Sequence, residues 1–153
     1  MPSVLFVCTA NRCRSPMAAA LFKELLARNG MLDRIQVESA GTWAEEGLPA
    51  TSLARQVLAE RGLDLSDHRS RCLTGELLHP FDLILVMEEG HREALRVEFP
   101  DIAERLYLLA NMVDEDYSIP DPIGGTLESY RALAEELADL LERALPRIRL
   151  ALE

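Results

Sequence analysis

The chain has 153 residues, 48% hydrophobic and 27% charged, a balance that suits one soluble globular domain over residues 1–153 and excludes disorder or a bilayer-crossing segment. Acidic residues outnumber basic ones 26 to 16, and the formal net charge of -10 works against nucleic acid and anionic membranes as partners. Cys8, Cys13 and Cys72 are too few and too unevenly spaced for a disulfide framework or a closed zinc site, so reduced thiols and no metal are expected.

Ser3 to Cys8 is a short apolar run rich in Val, Leu and Phe, which predicts a buried strand. Ser15-Pro16 then reads as a helix start, with Ser15 as N-cap and Pro16 at the first helical position. Met17, Leu21 and Leu25 repeat at helical spacing until Asn29-Gly30 ends the run. A second strand is predicted at about 34–40, then a loop with Gly41, Gly47 and Pro49, then a helix over 51–61 stopped by Gly62. Phe81 to Met87, reading FDLILVM, is the clearest buried-strand signal, and 88–98 reads as the helix that follows it, closed by Pro100. A fourth strand is expected at 105–109, an acidic loop at 111–125, and a long amphipathic helix over 126–150 that Pro146 should shorten or kink. Strands alternating with helices predict an α/β fold: a doubly wound, four-stranded parallel sheet with helices on both faces. The amino terminus carries no basic leader before its apolar run, and a cytoplasmic location is expected.

The turn between the first strand and the first helix, C-T-A-N-R-C-R-S over residues 8–15, gathers thiols and guanidinium groups in an otherwise acidic chain. A loop leaving the carboxyl end of a parallel strand and entering a helix presents several N–H groups and a positive helix end, so an anion is its natural guest. Cys8 at the strand end can lie beneath such an anion as a thiolate, the form that attacks and that cationic and N–H dipoles favour. Arg14 supplies a planar fork for two oxygens of a tetrahedral anion, which lysine could not do. Ser15 can donate to the sulfur.

The stretch C-T-A-N-R-C-R-S-P resembles the C-x-G-N-x-C-R-S-P signature of the low-molecular-weight protein tyrosine phosphatases. The likeness continues through Ser39-Ala40-Gly41-Thr42-Trp43, Asp67-His68-Arg69-Ser70-Arg71, 82–87 and Asp121-Pro122, covering nearly the whole chain. The resemblance implies a phosphatase that acts through a cysteinyl-phosphate, with Cys8 as nucleophile, Arg14 holding the transferring group and Asp121 as general acid and base, work typically worth about 10²–10⁴-fold. It assigns the anion-binding loop to Thr9, Ala10, Asn11, Arg12, Cys13 and Ser15, with Asn11 shaping the loop through a positive φ. His68 is implied as support from outside, and Cys13 as a partner that arrests oxidation of Cys8 in a reversible disulfide. Trp43 and Ile123 are candidate walls for an aromatic substrate. Substrates would be phosphorylated proteins or small aryl phosphates, with inorganic phosphate as product, no cofactor, and a monomeric enzyme.

The chain departs from the pattern at Ala10, where the family has glycine; a positive φ there would strain the loop, and any other φ would leave the methyl harmless. Gly124-Gly125 and Thr9 resemble the related bacterial protein arginine phosphatases, which cleave a P–N bond. That branch typically has threonine where this chain has Arg12, a cation that would repel a phosphoarginine guanidinium, so phosphotyrosine ranks first. Arsenate reductase chemistry would need a relay of further thiols, and Cys72 alone leaves it incomplete. A non-catalytic anion-binding module is the remaining alternative. His79 and His91 receive no role from the sequence.

Overall fold

A computed structural model describes residues 1–122 and 124–153. Four parallel strands, β1 (Ser3–Cys8), β2 (Gln36–Gly41), β3 (Leu83–Val86) and β4 (Leu106–Leu108), form one sheet in the order β2-β1-β3-β4. Among the described residues, five α-helices pack around them: α1 (Arg14–Arg28), α2 (Ser52–Glu60), α3 (Gly75–Leu78), α4 (Glu89–Glu98) and α5 (Leu127–Ala151). The order reverses between β1 and β3, so the carboxyl ends of these two central strands flank the crevice where open α/β sheets bind ligands.

β1 is buried throughout, and its alternation divides the core. Val4, Phe6 and Cys8 join Leu83 and Leu85 of β3 under α1, α2 and α5, where Phe22 meets Phe6 edge to face at 5.6 Å between ring centroids. Leu5 and Val7 join Ile84, Val86, Leu106 and Leu108 under α3 and α4. The expected doubly wound sheet is present, and its two covered faces explain why β1 and β3 read as continuous apolar runs.

Several boundaries differ from expectation. α1 begins at Arg14 with Cys13 at the N-cap, so Ser15 is inside the first turn and does not cap the helix; its hydroxyl is used elsewhere. Pro146 does not shorten α5, which continues to Ala151. The proline is exposed, on the side where the Glu142 carbonyl it leaves unpaired within the helix can reach water. The four-residue α3 falls in a stretch to which the sequence assigns no element, and Pro100 both follows α4 and opens a 3₁₀ turn over Pro100–Arg105. Among the described residues, no helix is long and apolar enough to cross a membrane, and no group of three or more His, Cys, Asp or Glu could hold a metal ion.

Candidate active site

The loop from Thr9 to Cys13 is set by one buried residue. Asn11 is fully enclosed at φ 57°, the left-handed conformation that asparagine tolerates better than most side chains. Its Oδ1 accepts the Arg71 backbone N–H at 3.0 Å, which leaves Nδ2 as the donor edge. Nδ2 donates to Ser15 Oγ at 2.8 Å and to Ser39 Oγ at 2.9 Å, and the Asn11 carbonyl accepts from His68 Nε2 at 2.7 Å. Asn11 and Asp114 are the non-glycine residues at positive φ among the described ones, so Ala10 is outside the left-handed region and its methyl carries no backbone strain.

These bonds fix the direction of the next one. Ser15 Oγ already accepts from Asn11, so its hydroxyl hydrogen goes to an acceptor of its own. Cys8 Sγ at 2.9 Å is nearer than the Ala40 carbonyl at 3.5 Å. A hydroxyl donating to sulfur favours the thiolate. Of the two roles expected for Ser15, the cap is not formed and the contact with the candidate nucleophile is.

The second strand holds the loop from the other side. Thr42 N–H donates to the Cys8 carbonyl at 2.9 Å and Trp43 N–H to the Thr9 carbonyl at 3.0 Å. The approach is close enough that a side chain at Gly41 would collide with the Thr9 carbonyl, which is why glycine suits that position. The Trp43 ring is 85% exposed beside the loop and takes no part in the core. Arg12 turns to the 41–50 loop, where its Nε donates to the Pro49 carbonyl at 2.8 Å.

Arg14 is 2% exposed, and its partners come from two distant segments and from its own loop. Nη1 donates to Glu88 Oε2 at 2.8 Å and to the Ile119 carbonyl at 2.7 Å. Nη2 lies 3.5 Å from Thr9 Oγ1 and 3.6 Å from Asp121 Oδ2. Ile119 N–H donates to the Met87 carbonyl at 2.8 Å, so the acidic loop is stitched to the end of β3 and to Arg14, two residues before Asp121. The Asp121 side chain is 34% exposed, partly open to solvent beside the guanidinium.

Cys13 is buried, with Sγ 3.8 Å from Met17 Sδ. Burial, helped by the nearby Asp121 and Cys8 charges, pushes its thiol up to about 12. His68 is held below its ordinary value, chiefly by burial and against the favourable bond to Asn11. Cys72 is half-buried at a bridge to Gly41, and its backbone N–H donates to Glu46 Oε1 at 2.7 Å. Ile123 lies outside the described residues.

Sequence reasoning missed Glu88 and His91. Glu88 is the Arg14 counter-ion, and His91, 6% exposed, bonds Thr9 Oγ1 through Nε2 at 2.8 Å. The available signal was positional: both residues follow the carboxyl end of a central parallel strand, beside the first loop.

Strand, cysteine loop, buried arginine and facing aspartate define a class of α/β protein with a candidate anion site at the switch point of its parallel sheet. The chain belongs to the low molecular weight phosphotyrosine protein phosphatase family, whose model matches residues 3–152. It is 39% identical over 147 residues to a protein-arginine-phosphatase of Geobacillus stearothermophilus, covering 95% of each chain. It is 35% identical over 147 residues to a probable low molecular weight protein-tyrosine-phosphatase of Ralstonia nicotianae, covering 96% of each. The crystal structure of a low molecular weight protein tyrosine phosphatase from T. tengcongensis superposes with a TM-score of 0.90 at 38% identity, over 96% of this chain and 99% of that one.

Proposed function

We propose that the protein is a phosphatase that hydrolyses protein phosphotyrosine and small aryl phosphates through a phosphocysteine on Cys8. The observation that carries this is the directed chain Asn11 Nδ2–H to Ser15 Oγ–H to Cys8 Sγ, in the same loop as a buried arginine. Nη1 of Arg14 has both hydrogens committed to Glu88 and Ile119, so the Nε and Nη2 edge serves the anion.

In the first step the Cys8 thiolate attacks phosphorus and forms an S–P bond while the P–O bond to the aryl group breaks. Asp121, protonated, gives its proton to the departing oxygen. In the second step water attacks the phosphocysteine, passes a proton to Asp121, and the S–P bond breaks to return the thiolate and inorganic phosphate. Ser15 stabilises the thiolate as it leaves, while Arg14 and the loop N–H groups of Thr9 to Cys13 hold the equatorial oxygens as charge shifts among them. Asn11 and His68 act as supports for the loop, and Trp43 forms an outer wall for the aromatic ring. Residues 1–153 act as one catalytic domain of a cytoplasmic monomer, with no cofactor.

The experiment is hydrolysis of p-nitrophenyl phosphate by wild type and Cys8→Ser, with vanadate binding measured in parallel. Turnover lost with anion binding retained supports the enzyme, and an inert wild type that still binds vanadate would support a non-catalytic module. A second reading, phosphoarginine as substrate, is favoured by the relative from Geobacillus stearothermophilus. Arg12 argues against it, since a fixed cation at the loop opposes a substrate guanidinium. Rates on matched phosphotyrosine and phosphoarginine peptides decide between the two.

A further inference from the structure

His91 sits three residues past Glu88, in the first turn of α4, and its two ring nitrogens have unlike partners. The Glu88 backbone N–H points at Nδ1 from 3.1 Å, and an N–H only donates, so Nδ1 is an acceptor and carries no proton. The ring proton of the neutral imidazole is therefore on Nε2, which donates to Thr9 Oγ1 at 2.8 Å. Glu88 Oε2 lies 3.6 Å from the same nitrogen while accepting from Arg14. Burial, with the neighbouring Arg14 charge, holds His91 below its ordinary value against the opposing pull of Glu88 and Asp121, which agrees with the neutral ring required by the bonds.

The consequence falls on Thr9. Its Oγ1 faces two donors, His91 Nε2–H and the more distant Arg14 Nη2–H at 3.5 Å, which occupy its two lone pairs. Its own hydroxyl hydrogen must point in a third direction. An imidazole of the opposite tautomer would take that hydrogen for itself and leave Thr9 nothing to donate.

We propose that His91 is a positioning residue for phosphoryl transfer: as a neutral Nε2–H imidazole anchored by the Glu88 N–H, it holds Thr9 Oγ1 beside Arg14 with the hydroxyl hydrogen available to an oxygen of the bound phosphoryl group. This rests on the phosphatase reading above. His91 touches neither substrate nor sulfur and acts through Thr9.

Two substitutions separate the ring's two contacts. His91→Asn keeps an acceptor near the Nδ1 position for the Glu88 N–H but does not reach Thr9; His91→Gln places an amide N–H near the Nε2 position. With p-nitrophenyl phosphate, His91→Asn and Thr9→Val should each lower kcat/KM about tenfold, the size of one hydrogen bond to a charged group. His91→Gln should recover activity to within about threefold of wild type, and His91→Asn with Thr9→Val should be no slower than Thr9→Val alone, because both remove the same donor. A purely structural histidine would give neither the rescue nor the coupling.

Two results would overturn the proposal: a folded His91→Asn protein within about twofold of wild type, or losses that multiply in the double variant. Should His91→Asn fail to fold, Thr9→Val and His91→Gln still decide: unchanged activity in the first, or a tenfold loss in a folded second, sinks it. An inactive wild type would remove the phosphatase reading and this inference together, whereas an active enzyme indifferent to His91 and Thr9 removes this inference alone.

Discussion

Replacing Asn11 by alanine tests whether one buried amide organises both the loop and the nucleophile. The substitution removes the bonds from Nδ2 to Ser15 Oγ and Ser39 Oγ and the acceptor for the Arg71 N–H. At about 1 kcal/mol each, these contribute about 3 kcal/mol. Alanine at φ 57° adds about 1 kcal/mol of backbone strain that asparagine offsets with its local hydrogen bonds. The expected loss is about 4 kcal/mol, which for a chain of this size lowers Tm by about 8–16 °C. Asn11→Gly relieves the backbone part only and should be about 1 kcal/mol more stable than Asn11→Ala. Urea unfolding gives both differences, and kcat on p-nitrophenyl phosphate gives the catalytic one, since Ser15 loses the donor that directs its hydroxyl to Cys8. Should Asn11→Ala unfold within about 1 kcal/mol of wild type and keep its kcat, the directed hydrogen-bond chain does not control the site.

Asp121→Asn should slow p-nitrophenyl phosphate cleavage by about 10²–10⁴-fold while leaving inorganic phosphate inhibition nearly unchanged, and an unchanged rate would assign the proton to another group. His79 Nδ1 faces the Gly75 carbonyl and Nε2 faces Asp101 Oδ2, both at 2.6 Å, acceptors that favour the protonated ring and hold it above its ordinary 6.5, first Gly75 and then Asp101, while His79 holds Asp101 below its ordinary 3.8. A raised histidine contributes its stability in full below about pH 6.5 and loses it as pH rises through the folded value. The depressed aspartate contributes above about pH 3.8 and loses it as pH falls through the folded value. His79→Gln should therefore cost stability at pH 6 and little at pH 9, read from urea midpoints; an equal cost at both would refute the charged pair. With its thiol pushed up to about 12, Cys13 stays protonated near neutrality, so peroxide should convert Cys8 to the sulfenic acid first, and Cys13 should then displace water to form a Cys8–Cys13 disulfide. Mass spectrometry should find that linked peptide, with activity restored by dithiothreitol in wild type and lost irreversibly in Cys13→Ser; its absence would leave Cys13 as a packing residue.

What the sequence made legible was local. β1, the loop and α1 are contiguous, and their apolar run, thiols and helical spacing specify strand, turn and helix within 26 residues, Ser3 to Arg28. At Ser15 one of two expected roles holds: a serine before proline is a helix-start signal but does not cap here, whereas the expected bond to the Cys8 sulfur forms once the turn closes, with Asn11 as the hydroxyl's donor. Asp121 carried no signal of its own within an acidic loop and was reached through the family pattern alone. Glu88 and His91 carried only the positional signal of following a central strand, because their partners Arg14 and Thr9 lie 74 and 82 residues away and meet them only when β1 pairs with β3. The short α3 escaped because four residues are too few to show a helical period.

The central claim is that Cys8 carries the phosphoryl group between two displacements. Rapid acid quench of enzyme turning over p-nitrophenyl phosphate, followed by peptide mass spectrometry, should recover one phosphoryl group on the peptide containing Cys8, bound to its sulfur. A phosphoryl group on another residue, or steady turnover with Cys8→Ser at the wild-type rate, would contradict it.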